Sequence, residues 1–225
     1  MTFWEKLQKI DRKIIYLILA VGIILPFFFP MGMKIPITKE VNDIYELIEG
    51  LGPDDCVMLS ADYSPSVSAE LSPMLDAIVR HCFKRKVKVL VMSLLPMGPG
   101  LAQPVLNKAA EDYGMIYGTD YVLLGYKVGY SLIILRMGDS ITQTHGVDYY
   151  GTALRDIPMM ENIINYDDID LLVPLTGANY AAWIVYANEQ FQQDIAPGMT
   201  AVMAADAYPY LQSGQIVGLL GGLKA

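Results

Sequence analysis

Val87-Lys88-Val89-Leu90-Val91-Met92-Ser93-Leu94-Leu95, residues 87–95, is the stretch from which the fold can be read. Its apolar side chains run on without the alternation of a half-solvated strand, so both faces must be covered. Leu171-Leu172-Val173 repeats the pattern. Pro96 stops the run, because a prolyl nitrogen cannot donate to a strand ladder. Met97-Gly98-Pro99-Gly100 then opens a helix that reaches about Tyr113 and ends at Gly114, and a third strand follows over Asp120 to Tyr126. Upstream, Ser72 as cap with Pro73 in the first helical position predicts a helix whose Leu75, Ile78, Val79 and Cys82 share one face. Before it lie the loop Asp62-Tyr63-Ser64-Pro65 and a first buried strand, Cys56 to Ala61. Thr38 caps an earlier helix striped by Val41, Ile44, Tyr45, Leu47 and Ile48 and closed by Gly50.

Further along, Ser131 to Met137 suits a short helix better than a strand, residues 139–157 look irregular, and a short helix begins near Pro158. Strand four is Ile169 to Leu175, after which Thr176-Gly177-Ala178-Asn179 turns into a helix reaching Phe191. A fifth strand is expected at Met199 to Ala204, and the tail from Tyr208 to Ala225 is apolar and glycine-rich without clear period. Strands alternating with helices imply an α/β fold, a doubly wound, mainly parallel Rossmann-like sheet of about five strands. The tail ends in Gly-Leu-Leu-Gly-Gly-Leu-Lys-Ala, which suggests a longer natural protein.

The 225 residues are 53% hydrophobic and only 18% charged, more apolar than a typical soluble protein. A net charge of −8 argues against nucleic acid as a partner, because phosphate binding needs a concentrated basic surface. The one basic cluster, from Arg80 to Lys88, reads as a helix C-terminus and turn, where cations suit the helix dipole.

Part of the apolar excess lies near the N-terminus, where Ile14 to Pro30 carries no charge and Met31-Gly32-Met33 extends it. The expectation is a transmembrane helix over residues 14–33, following a cytoplasmic segment 1–13 and preceding a single α/β domain over 34–225. The Pro-Phe-Phe-Phe-Pro end lacks the small residues of a signal-peptide cleavage site. Lys6, Lys9, Arg12 and Lys13 before the span, against Lys34 and Lys39 after it, predict a single-pass protein with its N-terminus in the cytoplasm and its domain outside. Trp4 and Tyr16 would sit at one lipid interface and Phe27–Phe29 at the other.

In an open parallel sheet, ligands bind beyond the carboxyl ends of the strands. That rule nominates Asp62, Tyr63 and Ser64 after strand one, and Thr176, Gly177 and Asn179 after strand four, as candidate ligand-binding residues. Thr176-Gly177-Ala178-Asn179 either offers backbone amides to an anion or merely makes a turn. Asp62 is either a base, ligand or nucleophile, or a turn former. No glycine-rich dinucleotide fingerprint, phosphate-loop lysine or nucleophile elbow follows any strand, so no catalytic residue and no cofactor is assigned. His145 has no ligand-spaced partners for a metal, and nothing selects a Ser64–His145–Asp206 triad over chance. Cys56 and Cys82 fall near the same sheet edge, as a disulfide in an oxidising compartment or as two buried thiols.

Fifteen tyrosines, with Tyr149, Tyr150, Tyr208 and Tyr210 as the candidate association surface, suit a protein that meets other surfaces. The segments Asp62-Tyr63-Ser64-Pro65, VLVMSLLPMGPGLA (89–102), DYVLLGY (120–126), LTGANY (175–180) and AYPYLQSGQIVGLLGG (207–222) resemble a group of prokaryotic membrane-anchored proteins to which no function is assigned. The resemblance implies a similar α/β domain and a second apolar segment after the Gly-Gly-Leu-Lys end, and brings no reaction with it. The resulting expectation is a non-catalytic, membrane-tethered interaction or scaffold domain, a homo-oligomer or a subunit of a larger assembly, with the bilayer as one partner. Its alternatives are a small-ligand-binding or sensing domain and a hydrolase centred on Asp62 or Ser64.

Overall fold

A computed structural model of the chain describes residues 11–28 and 37–224. The chain divides into two compact units, Met1–Pro36 and Ile37–Ala225. In the first, helix α1 (Arg12–Phe28) has 17 residues, with Pro26 inside it and apolar side chains such as Ile15, Leu17, Ile18 and Leu25 exposed. This corrects the expected transmembrane helix. Among the described residues no helix is long and apolar enough to cross a membrane. The uncharged part from Ile14 to Phe28 rises only about 22 Å at 1.5 Å per residue, against a hydrocarbon core of about 30 Å. Residues 29–33 of the expected span lie outside the described residues, as do Trp4, Lys6, Lys9, Phe29 and Lys34, on which the orientation rested. A single-pass membrane location with an extracytoplasmic domain is therefore not supported.

The second unit runs α2 (Lys39–Gly50), β1 (Cys56–Asp62), α3 (Ser68–Arg85), β2 (Lys88–Ser93), α4 (Gly98–Tyr113), β3 (Tyr121–Tyr126), α5 (Tyr130–Asp139) and α6 (Ile141–His145). Short 3-10 turns lead to β4 (Leu171–Thr176). Next comes a helix, α7, that is α over Ala181–Trp183, π over Ile184–Asn188 and α again over Glu189–Phe191. The unit closes with β5 (Gly198–Met199), α8 (Ala201–Ser213) and β6 (Leu220–Gly221). The six strands are parallel and lie in the order β3-β2-β1-β4-β5-β6. That is the doubly wound Rossmann-like order, in which the chain reverses direction across the sheet between β1 and β4.

Alternate side chains of each strand feed two separate cores. Met58, Leu90, Val122 and Leu172 pack against α5 and α7, while Val57, Val89, Leu123 and Val173 pack against α2, α3 and α4. Both faces of β1, β2 and β4 are thus buried, as their unbroken apolar runs require. The outer edge of β3 is covered by the 147–153 loop, whose Tyr149 amide donates to the Leu123 carbonyl at 2.8 Å. Pairing with another chain at that edge is blocked.

Three expected elements are corrected. Among the described residues there are six strands rather than about five. The fifth is only Gly198–Met199, and the run read as its continuation is helical. Ala201, Ala204, Ala205 and Ala207 are strong helix formers, and the Ala201 amide is met by Glu70 Oε2 at 2.9 Å. Helix α3 begins at Ser68 rather than Ser72, so Pro73 sits inside it. The proline there removes the N–H for the carbonyl of Ala69, an exposed residue within reach of water.

Candidate functional site

The strand order places the expected ligand crevice at the carboxyl ends of β1 and β4, where Asp62 and Thr176 are register partners. The two-residue alternation of β1 separates the residues of its loop. Asp62 points with Met58 toward α7, whereas Tyr63 lies in the opposite core and accepts a hydrogen bond from Ser72 Oγ at 3.2 Å. Ser64 is half-buried, its hydroxyl 2.8 Å from that of Ser66. Asp62 thus faces the side of the crevice and Tyr63 the opposite core.

Asp62 is 1% exposed, and each of its oxygens meets an N–H. Oδ1 accepts from the Leu94 amide at 2.6 Å, and Oδ2 from Trp183 Nε1 at 3.1 Å and Ser60 Oγ at 2.8 Å. Burial pushes the carboxyl above the usual range, and these donors, led by the Leu94 amide, pull it part of the way back. Among the described residues it joins no ion pair. The charge is held by neutral dipoles alone.

Thr176 is equally committed. Its Oγ1 accepts from the amides of Ala178 at 3.1 Å and Asn179 at 3.2 Å, so these two amides close a turn. At Gly177 an added Cβ would meet Val67 Cγ2 at 3.1 Å, which ties this turn to the start of α3. The loop after β2 is tighter still. A Cβ on Gly98 would stand 2.1 Å from the Ala61 carbonyl oxygen and from Ser93 Oγ, so only glycine lets α4 approach the end of β1. Ser93 Oγ in turn donates to the Ala61 carbonyl at 2.8 Å. The floor of the crevice is filled by the protein itself.

Above that floor a shallow cavity of about 270 Å³ remains open, bordered by Tyr130, Ser131, Asn179, Ala182, Val185 and Tyr186. Tyr130 and Ser131 come from the start of α5, Ala182, Val185 and Tyr186 from α7, and Asn179 from the turn after β4. The π segment Ile184–Asn188 forms one wall, and such segments recur at functional sites because the extra residue re-aims side chains. Burial, then the charge of Asp62, then Tyr126, push the Tyr130 phenol up to about 12.

The other nominated residues do not join this site. Cys56 and Cys82 are free thiols in this structure, buried in the two different cores. Burial pushes both thiols up, Cys82 to about 12, away from the thiolate form. Among the described residues Ser64, His145 and Asp206 share no hydrogen bond; the Ser64 hydroxyl meets that of Ser66. His145 is 2% exposed, and its two ring nitrogens have no partner among the described residues. Burial and the nearby Lys127 charge lower it to about 4, which the Leu124 backbone offsets only in part. His81 instead reaches Glu49 Oε1 at 3.0 Å and stacks on Tyr45. Tyr149 and Tyr150 are exposed ends of an edge-to-face aromatic ladder through Tyr117 and Tyr121. Tyr208 is exposed, while Tyr210 packs on Tyr180.

Sequence reading missed Trp183, Tyr130, Ser60 and Ser93. A usable signal existed for the serines: polar residues at the carboxyl ends of otherwise apolar strands must find partners, and Ser60, Asp62, Ser93 and Thr176 are the four that do. Nothing local marked Trp183, which lies 121 residues from Asp62. The site thus defines an α/β domain of Rossmann-like topology whose crevice is closed from below. Comparison with family models, curated proteins and solved structures gave no match to this chain.

Proposed function

We propose that the Ile37–Ala225 unit is a non-catalytic interaction domain that associates with copies of itself or with other protein subunits. One observation carries this reading: the polar groups at the carboxyl ends of β1, β2 and β4 are all hydrogen-bonded within the protein. An enzyme of this topology would keep some of them for a substrate. The exposed apolar side chains of α1, together with Tyr149, Tyr150 and Tyr208, supply surface that a partner would cover.

The test is the particle mass of the full chain in mild detergent, which keeps the exposed helix α1 from clumping, with co-purifying proteins identified. A defined particle larger than the monomer, retained in Asn179→Ala and lost on changing Tyr149, Tyr150 or Tyr208, supports the reading. A lone monomer at every concentration overturns it.

The cavity beside Tyr130 and Asn179 favours a second reading, that of a small-ligand-binding or sensing domain. Its mark would be a ligand-dependent rise in melting temperature that Asn179→Ala removes.

A further inference from the structure

Resting on that second reading, we propose that the cavity at the carboxyl ends of β1 and β4 binds a small organic cation, a quaternary or protonated amine. Three observations converge on it. The first is an unbalanced charge. Asp62 is a 1% exposed carboxylate with N–H donors on both oxygens and no cationic partner among the described residues. Buried charges are ordinarily paired, because neutral donors replace only part of the lost hydration.

The second is where that charge is felt. The side chain of Trp183, which holds Asp62, directly follows Ala182 of the cavity wall, and the Asp62 charge acts on Tyr130 at the cavity's other side. When Asp62 is ionised, its charge therefore disfavours phosphates and carboxylates beside Tyr130. No lysine or arginine lines the cavity. The amides of Ala178 and Asn179, the groups an anion would use, are already given to Thr176.

The third is the lining. Tyr130 and Tyr186 both line the cavity, and aromatic ring faces carry the negative quadrupole that attracts ammonium groups. Ala182 and Val185 give methyl groups for N-alkyl substituents, while Ser131 and Asn179 leave polar atoms at the rim for a hydroxyl or carbonyl tail. Val185 and Tyr186 both belong to the π segment, which therefore supplies this part of the lining.

The experiment titrates the full chain, in mild detergent and at fixed ionic strength, with choline, tetramethylammonium and 3,3-dimethylbutan-1-ol, the uncharged carbon analogue of choline. Melting temperature and heat of binding are followed. Both ammonium probes should saturate and raise the melting temperature, with the neutral analogue weaker by about tenfold or more. Tyr186→Leu, which keeps apolar volume but removes the ring, should weaken choline by a similar factor and leave the neutral analogue unchanged. Asp62→Asn should do the same. If that buried change prevents folding, Tyr186→Leu alone carries the test. Equal binding of choline and its neutral analogue overturns the cation assignment and leaves the ligand-binding reading standing. So does stabilisation by neutral heterocycles when both ammonium probes are silent. Silence from every probe and from a broad neutral screen overturns both.

Discussion

The indole N–H of Trp183 reaches Oδ2 of Asp62 at 3.1 Å, linking α7 to the last residue of β1 across 121 residues of sequence. Both groups are buried, so the bond cannot be exchanged for water when it is lost. Trp183→Phe keeps most of the ring volume and removes only the donor. It should cost about 2 kcal/mol, the scale for a hydrogen bond to a charged group in a buried site. The urea midpoint should fall with an unchanged slope. A variant as stable as the parent would mean that Asp62 does not depend on this donor.

The loop after β2 offers a paired test of packing. Gly98→Ala drives a methyl group against the Ala61 carbonyl and Ser93 Oγ, backbone and buried side chain that cannot both yield. A loss of about 3 kcal/mol is expected, the upper range for overpacking. Gly100→Ala, two residues along the same helix with nothing within 4 Å of its Cβ, should instead gain about 0.5–1 kcal/mol from helix propensity. Thermal melts of both variants decide it, and equal effects would mean that Gly98 is not under steric constraint.

These residues show what sequence could and could not reveal. Residues 87–92 and 171–173 are apolar on both faces, so buried parallel strands follow directly from them, and the doubly wound architecture follows from their alternation with helices. Strand order did not follow, because parallel pairing depends on contacts far apart in sequence, such as Asp62 with Thr176. Residues 199–204 were misread because an alanine-rich apolar run fits a buried strand and a helix equally well by composition. The helix wins at Ala201, where Glu70, 131 residues away, supplies its cap. Asp62 was legible as a strand-end carboxylate, whereas its three donors come from β1, the residue just after β2, and α7 and were visible only once the sheet was assembled.

Asp148 holds the cover of the β3 edge. It accepts from Tyr117 OH at 2.6 Å and from the amides of Tyr150 at 2.9 Å and Thr152 at 2.7 Å. Asp148→Ala orphans all three donors and should cost about 2–3 kcal/mol, with the effect concentrated in the 147–153 loop. The Tyr149 amide, bonded to Leu123, should then exchange its hydrogen faster, and light scattering should rise as the edge of β3 becomes free to pair. Faster exchange spread evenly through β1 and β4 would instead show that the loop is not a separate unit.

His145 makes stability depend on pH. Its folded-state value of about 4 lies below the ordinary 6.5, so between these values the unfolded chain binds a proton that the folded chain refuses. Stability from this residue is intact above pH 6.5, declines as the pH falls, and is fully lost below about 4. The total is about 3 kcal/mol, from 1.36 kcal/mol per unit. Asp62 opposes this slope. Its raised value means the folded state keeps a proton the unfolded state would release, so its contribution improves on acidification. The two are separated by replacing only the imidazole. His145→Phe should be as stable as the parent at pH 7, because the buried ring has no hydrogen bond to lose. At pH 4.5 it should be more stable by about 2 kcal/mol, since most of the protonation cost has gone. Denaturant midpoints of both proteins from pH 7.5 to 4 provide the measurement. Parallel curves across that range would place the acid sensitivity elsewhere than in His145.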